Sequence, residues 1–374
     1  MDQIAPLRIL HCLWDGRIGG AEQAVFQLVR RQLLDPNLAP GIAFGKQGGL
    51  YWAKTHQLNC PVLDFDLRNA HRIDRIPEMA QQMREFDIHH FHVAEPTMIL
   101  ASLGCPNSRR IYTHRGGYLH YPPTRKLRYL IVGLLLRFFF HGFSGNTRHG
   151  AYCAAKHCHL PLDWFRVTYN GLEFDLLAAE HPRNSVRNQL GLDSSRYVVG
   201  TVANLTPWKR VDRLLVAIAA LNHKNITLLV IGDGIDRLRL ESLAREFGID
   251  DRVIFAGQKP NVADYLQIMD AFCLPGPESF GNAAVEAMAM GLPTIVFADG
   301  GGLLEHIRNE ETGFIVASDL ELAETLRTLK SDPSLGSRVG KRARTSVREH
   351  YSLEKSAAAY ESMYQAVMGS KWHE

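Results

Sequence analysis

The sequence predicts two consecutive α/β units, each a parallel sheet covered by helices. Three observations carry this. The chain has 374 residues, more than one core usually organises. Apolar, β-rich runs alternate with segments of helical periodicity along its length. Residues 173–192 are polar, include Pro182 and contain no strand-like run, so they divide the alternation in two. At 46% hydrophobic and 22% charged, the composition is that of an ordinary globular protein rather than a fibrous, disordered or integral membrane chain.

In the first half the strand candidates are "LRILHCLW", "LAPGIAFG", "PVLDFDL", "DIHHFHV", "RRIYTH" and "FHGFSG". In the second they are "YVVGTVAN", "ITLLVIGDG", "RVIFAG", "AFCLPG", "PTIVFADG" and "TGFIVAS". Helical segments such as "WKRVDRLLVAIAALNHK" and "DRLRLESLAREFG" separate them. The last stretch, "SLEKSAAAYESMYQAVM", has apolar positions at helical spacing and is long enough to return across the domain junction. The expected organisation is a first unit over 1–180, a second over 181–350 and a terminal helix over 351–374 that packs back on the first. The opening "MDQIAPLRILHCLW" has no basic flank, no long apolar core and no cleavage site, so residence in the cytoplasm is expected. Six cysteines spread over the whole length do not form a stapled framework and are expected to be reduced.

Net charge is +3, unevenly placed: residues 1–180 carry +5 and the remainder −2. From Pro96 to Leu162 there is no Asp or Glu, while nine Lys or Arg occur. Within that stretch "TRKLRYLIVGLLLRFFFHGF" flanks an apolar run with cations, and the run from Tyr129 to Leu136 is far shorter than the roughly 20 residues that span a bilayer. Two readings stay open. The segment 125–143 lies on an anionic membrane surface, or it is a buried helix with solvated arginines at its ends. The stretch lacks a recognisable nucleic-acid module, so no nucleic-acid partner is expected.

In parallel sheets, ligands bind where strand C-termini lead into helix N-termini. The first such loop, "DGRIGGAEQ", places Gly19 and Gly20 before a helix, where glycine lets the backbone approach a phosphate or sugar or simply makes a turn and cap. In "VANLTPWKRVDRLL", Lys209 and Arg210 sit just past a strand, and cations there suit a diphosphate. In "GPESFGNAAVEAMAMGLP" a helix should open near Gly281, with unpaired N–H groups around Gly281, Asn282 and Ala283 as a second anion cradle. Glu278 precedes that helix and Glu286 lies about 7.5 Å along it. Two carboxylates on one loop–helix element do not flank a bond from opposite faces, as a glycosidase pair must. They suit ligand hydroxyls: a ribose at Glu286, a hexose at Glu278. The implied ligand is a nucleotide sugar.

These residues resemble the retaining GT-B glycosyltransferases of the family 4 group, also called glycosyltransferase group 1. The resemblance rests on the early Gly-Gly loop, "YTHRGG", "SGNTRHG", "VTYNGLEFD", "GTVANLTPWKR", "VIGDG", "VIFAGQ", E-x7-E, "AMAMGLPTIVFADGGGLLEHI" and "TGFIV", in that order. It implies two Rossmann-like domains facing a deep cleft, the second binding the donor and the first the acceptor. It further implies that Lys209 holds the diphosphate, Glu286 the ribose and Glu278 the transferred sugar. Gly281 and Asn282 would make main-chain contacts, Gly19 and Gly20 would form the facing phosphate loop, and His114 would be the sugar-proximal histidine. The implied reaction is hexosyl transfer with retention, from a nucleotide-diphosphate sugar to a glycan or lipid-linked acceptor. It needs no separate cofactor and, with no D-x-D motif in a suitable loop, no metal.

One position departs from the family. The arginine often found five residues before the lysine is Asn204 here, so Arg210, Arg115 or Arg17 must substitute or turnover is slower. A sugar-nucleotide epimerase of the same fold, or a non-catalytic partner of another transferase at the membrane, are the alternatives. Glu305, after the triple glycine 300–302, is a further candidate for donor hydroxyls. "CAAKHCHL" offers Cys153, His157, Cys158 and His159, but zinc spacing usually pairs two such clusters. His89, His90 and His92 of "HHFHV" read as hydrogen-bonded strand residues or as lining of a ligand site.

Overall fold

A computed structural model describes residues 5–67, 72–116, 126–221, 223 and 225–369. The chain divides into unit 1, residues 1–172 with 351–374, and unit 2, residues 173–350.

Unit 1 contains β1 (Leu7–Leu13), β2 (Leu38–Phe44), β3 (Val62–Asp64), β4 (Ile88–Phe91), β5 (Arg109–His114), β6 (Gly142–Gly145) and β7 (Phe165–Val167). They form one sheet in the order β3-β2-β1-β4-β5-β6-β7, and every described pairing is parallel. Unit 2 contains β8 (Tyr197–Val202), β9 (Ile226–Ile231), β10 (Val253–Gly257), β11 (Ala271–Leu274), β12 (Thr294–Phe297) and β13 (Phe314–Val316). Their order is β10-β9-β8-β11-β12-β13, again parallel. Both orders reverse beside the first strand of the unit, and in a sheet of this kind the loops after the two strands at its reversal are where a ligand binds. In unit 2 those are the loops after β8 and β11.

The strands are continuous apolar runs because helices cover both faces of each sheet. β9 is buried at every position, and Leu228 and Val230 join one core with Leu214, Leu215, Ile218, Leu322 and Leu326 from the covering helices. In unit 1, Leu10, Phe91, Tyr112 and Phe143 pack with Met79, Met98, Val132 and Leu136. The terminal helix Leu353–Met368 belongs to unit 1. Its Ala357, Tyr360, Met363 and Tyr364 pack with Leu7, Ile9, Leu28, Ile88 and Ile111.

The strand β7 was not among the sequence candidates. Residues 173–180, placed with the first unit on sequence grounds, cluster with the second. The cause is local: Asp264 Oδ1 accepts the N–H groups of Glu180 and His181 at 2.7 and 2.9 Å, and the Asn261 amide donates to Ala178 O.

Candidate donor site and its relatives

In unit 2, Lys209 ends a short 3-10 turn, Pro207–Lys209, in the loop after β8. Glu278 lies in the loop after β11. They are 69 positions apart in sequence, yet Lys209 Nζ donates to Glu278 Oε1 in an ion pair whose side chains are 15% and 20% exposed. Gly276 is what lets the loops meet. A Cβ there would lie 2.6–2.7 Å from the backbone of Lys209, closer than any side chain tolerates. Glu278 is anchored by its own backbone. Its N–H donates to Gly300 O at 3.1 Å, and its C=O accepts from Gly302 N–H at 2.8 Å.

The helix after this loop runs Asn282–Ala289, with Gly281 as its N-cap at φ +76°. A Cβ at Gly281 would be 2.3 Å from Leu303, and the left-handed backbone itself favours glycine. The positions at the start of this helix, Gly281, Asn282 and Ala283, are only partly buried, so their N–H groups can meet a ligand. Glu286 is buried in the second turn. His306 braces the approach. Its Nε2–H donates to Phe280 O at 2.7 Å, its ring meets Phe280 edge-on, and burial holds its pKa down at about 4, so it is neutral. Glu305 ends the 3-10 turn Gly302–Glu305 that follows the triple glycine.

Unit 2 thus brings together Lys209, Glu278, Gly281, Asn282, Glu286 and the Glu305 turn. Arg210 is adjacent but adopts φ +52° and its guanidinium faces Asp212 at 3.4 Å. Asn204 lies in the same loop, and its C=O accepts from Thr206 Oγ1 at 3.4 Å. Arg213 is the residue that sequence reasoning passed over. It pairs with Asp299 through two 2.7 Å bonds, donates to Pro275 O at 3.1 Å and stacks 4.3 Å from the Phe297 ring, tying the loops after β11 and β12. Nothing in the spacing of Arg213 and Asp299 announces that pairing.

In unit 1, Gly19 caps the helix Gly20–Gln32, and its backbone is extended rather than left-handed. His114 ends β5. Its Nδ1 bonds the Tyr112 hydroxyl at 2.8 Å, and its Nε2 is buried with no partner among the described residues. Burial, then His157, hold its pKa down at about 4. Two groups could in principle gather a metal among the described residues: His11–His90–His92 and Glu180–His181–Asp264. All six ring nitrogens of the first already make hydrogen bonds. In the second, Asp264 is already occupied by two backbone N–H groups and by His181 Nδ1. Cys153 and Cys158 sit buried on the helix Arg148–Cys158, and burial raises both thiols, to about 11 and about 12.

Two sheets of this order, each with loops gathered at a strand reversal, define a pair of Rossmann-like domains in the GT-B arrangement of elements. Residues 182–346 match the family described as glycosyl transferases group 1. Unit 2 is therefore a group 1 glycosyltransferase domain. Among curated relatives, the N-acetyl-alpha-D-glucosaminyl L-malate synthase of Bacillus anthracis is 33% identical over 187 residues, 49% of each chain. A D-inositol 3-phosphate glycosyltransferase of Gordonia bronchialis is 32% identical over 205 residues, 50% of this chain and 44% of its own. The chain spans about half the length of the curated relatives it matches. Among solved structures, Anabaena HepE in complex with UDP and glucose superposes with a TM-score of 0.85 at 19% identity, covering 96% of this chain and 99% of that one. WaaG, a glycosyltransferase involved in lipopolysaccharide biosynthesis, gives 0.73 at 18% identity, covering 95% and 99%. These likenesses establish the GT-B fold.

Proposed function

We propose that the chain transfers a hexosyl unit from a nucleotide-diphosphate sugar to a glycan or lipid-linked acceptor, with retention of anomeric configuration, in the assembly of cell-surface polysaccharide or lipopolysaccharide. The observation that carries this is the Lys209–Glu278 ion pair beside the open N-terminus of the helix Asn282–Ala289, with Glu286 buried in the same helix. A diphosphate at that N-terminus meets backbone N–H groups, a favourable dipole and the Lys209 cation. Glu286 then holds ribose hydroxyls and Glu278 those of the sugar.

During transfer the bond from the sugar's anomeric carbon to the diphosphate breaks, and a bond to the acceptor oxygen forms on the same face. The acceptor's proton passes to the departing phosphate oxygen. No protein base is assigned. Negative charge grows on the diphosphate, and Lys209 with the helix N–H groups stabilises it more in the transition state than in the bound donor. On this reading the leaving-group charge is carried by the protein rather than by a metal ion. His114, held neutral by burial, is assigned no acid or base role, and Gly19, capping the helix Gly20–Gln32, is the unit 1 candidate for a phosphate contact.

The acceptor assignment is supported by unit 1. The helix Lys126–Phe139 buries Val132 and Leu136 but leaves Leu127, Leu130, Ile131, Leu134, Phe138 and Phe139 exposed, with Arg128 and Arg137 along it. Arg125 lies outside the described residues. An apolar helix face accompanied by cations and no acids suits peripheral attachment to an anionic membrane, at its cytoplasmic face. The names of WaaG and of the lipopolysaccharide core mannosyltransferase LpcC of Rhizobium leguminosarum bv. viciae, 28% identical over 207 residues, support an acceptor of that kind.

Heating the protein with UDP-, GDP- and dTDP-sugars in EDTA tests the donor. One base series should raise the melting temperature, by about 2.7 kcal/mol of stabilisation at a hundredfold excess over Kd. NMR of the product from the stabilising donor should show the donor's own anomer. Stabilisation by none of them would refute the reading. A donor epimerised without acceptor would replace it with the epimerase. Asn204 in place of an arginine favours one other reading, a non-catalytic partner, which would bind a donor and turn nothing over.

A further inference from the structure

His90 and His92 of "HHFHV" join His11 in a buried chain of hydrogen bonds. Its head is Arg115, just past β5, which can only donate. Arg115 Nε–H donates to His92 Nδ1 at 3.0 Å. His92 therefore carries its proton on Nε2 and donates to His11 Nδ1 at 3.0 Å. By the same step His11 carries its proton on Nε2 and donates to Gln32 Oε1 at 2.8 Å. The Gln32 amide donates to the Tyr364 hydroxyl at 3.4 Å, and that hydroxyl shares a hydrogen bond with His90 Nδ1 at 2.9 Å. His90 Nε2 is hydrogen-bonded to Thr113 Oγ1 at 2.7 Å, and Thr113 Oγ1 to Ser144 Oγ at 2.6 Å. Burial keeps the three histidines neutral, His11 at about 4 and the other two well below their ordinary value.

Among the described residues Arg115 has only neutral hydrogen-bond partners. Besides His92, it donates to Asn170 Oδ1 at 2.6 Å and to the Tyr360 hydroxyl at 3.2 Å. A guanidinium has five N–H groups, and partners among the described residues take three of them. Among the described residues no carboxylate lies within ion-pair range of it, whereas Arg17 is paired with Asp15 at 2.6 Å and Arg210 with Asp212. Among the described residues an acidic group coupled to it is Glu22, in the first turn of the helix Gly20–Gln32. Glu22, its pKa raised chiefly by burial, feels Arg115 without touching it. Arg115 stands at the C-terminal edge of the sheet, the same edge as Gly19 and Gly20.

We propose that Arg115 reads an anionic group, a phosphate or carboxylate, on the acceptor, and that the histidine chain with Tyr360 and Asn170 is the set of positioning residues that holds its guanidinium for that contact. Unit 2 supplies its own cation and helix N-terminus for the donor diphosphate, so the cation of unit 1 is left for the other substrate. The acid-free stretch from Pro96 to Leu162, in which Arg115 lies, adds a field of the right sign. The inference rests on the reading of unit 1 as the acceptor side.

The test uses the full chain labelled with 15N at arginine and histidine, saturated with UDP to occupy the donor site, and titrated with inorganic phosphate at constant ionic strength. At pH 7, His11 and His92 should both show the Nε2–H tautomer. Phosphate should shift the Arg115 Nε–H resonance, and Arg115→Gln should weaken phosphate binding about tenfold or more, the loss expected for charge-assisted hydrogen bonds. Arg115→Lys, which keeps the charge and loses the fork, should weaken it less, and it serves as the variant of record if Arg115→Gln does not fold. A purely structural arginine would change stability in both variants and leave phosphate affinity alone. That result, an unmoved Arg115 resonance, or Nδ1–H tautomers would overturn the proposal. Failure of the donor reading would show separately, as a wild-type chain that does not bind UDP.

Discussion

Lys209 and Glu278 meet in one ion pair between two loops of unit 2. Their candidacy was legible in sequence because each residue type follows a strand at a place where a ligand can reach it. Their contact was not legible, since it depends on Gly276 admitting the Lys209 backbone and on the Gly300–Gly302 turn clamping Glu278. Both are tertiary events with no local pattern. If Lys209 acts mainly on the departing charge, Lys209→Ala should lower kcat roughly 100-fold or more while UDP affinity changes far less. Steady-state kinetics beside calorimetric UDP binding make the comparison, and equal losses in both would contradict a transition-state role. Arg213 shows the opposite limit of sequence reasoning. Its cation is committed to Asp299 and Phe297, so it braces the site rather than lining it.

At the scale of elements, strands flanked by glycine and rich in β-branched residues announced themselves, as β8, β9 and β12 do. The strand β7 escaped because "FRV" is three residues long with an arginine in its middle and two exposed positions, so it carries neither an apolar run nor a clean alternation. The basic apolar segment was ambiguous for a different reason. A helix with one face on a core and one face bare has apolar residues all round, and periodicity cannot tell which face is covered. The structure separates them: Val132 and Leu136 are buried while Leu127 and Phe138 are 68% and 70% exposed. If the bare face meets lipid, replacing Leu134 and Phe138 together by Ser should abolish flotation with anionic vesicles, where wild type floats, and leave UDP affinity unchanged. Equal flotation of both proteins, or none with wild type, would remove the membrane from the account.

Across the whole molecule the same device occurs twice: a parallel sheet whose strand order reverses beside its first strand. That repetition was readable from the alternation of runs, because each unit must bury its own apolar strands under its own helices. What could not be read was the division of the polar linker, where Asp264 holds Glu180 and His181, and Asn261 holds Ala178, in unit 2. Nor could the use of the terminal helix be foreseen beyond its apolar spacing. It supplies Tyr360 and Tyr364 to the buried chain in unit 1, so it carries hydrogen-bonding chemistry as well as packing.

The central claim is that a diphosphate sits at the start of the helix Asn282–Ala289 and takes Lys209 as its counter-ion. A crystal structure of the chain with UDP tests this most directly. The account predicts diphosphate oxygens at about 3 Å from backbone N–H groups of residues 281–283 and from Lys209 Nζ, with the ribose on Glu286. A diphosphate bound elsewhere, with Lys209 still paired to Glu278, would contradict it.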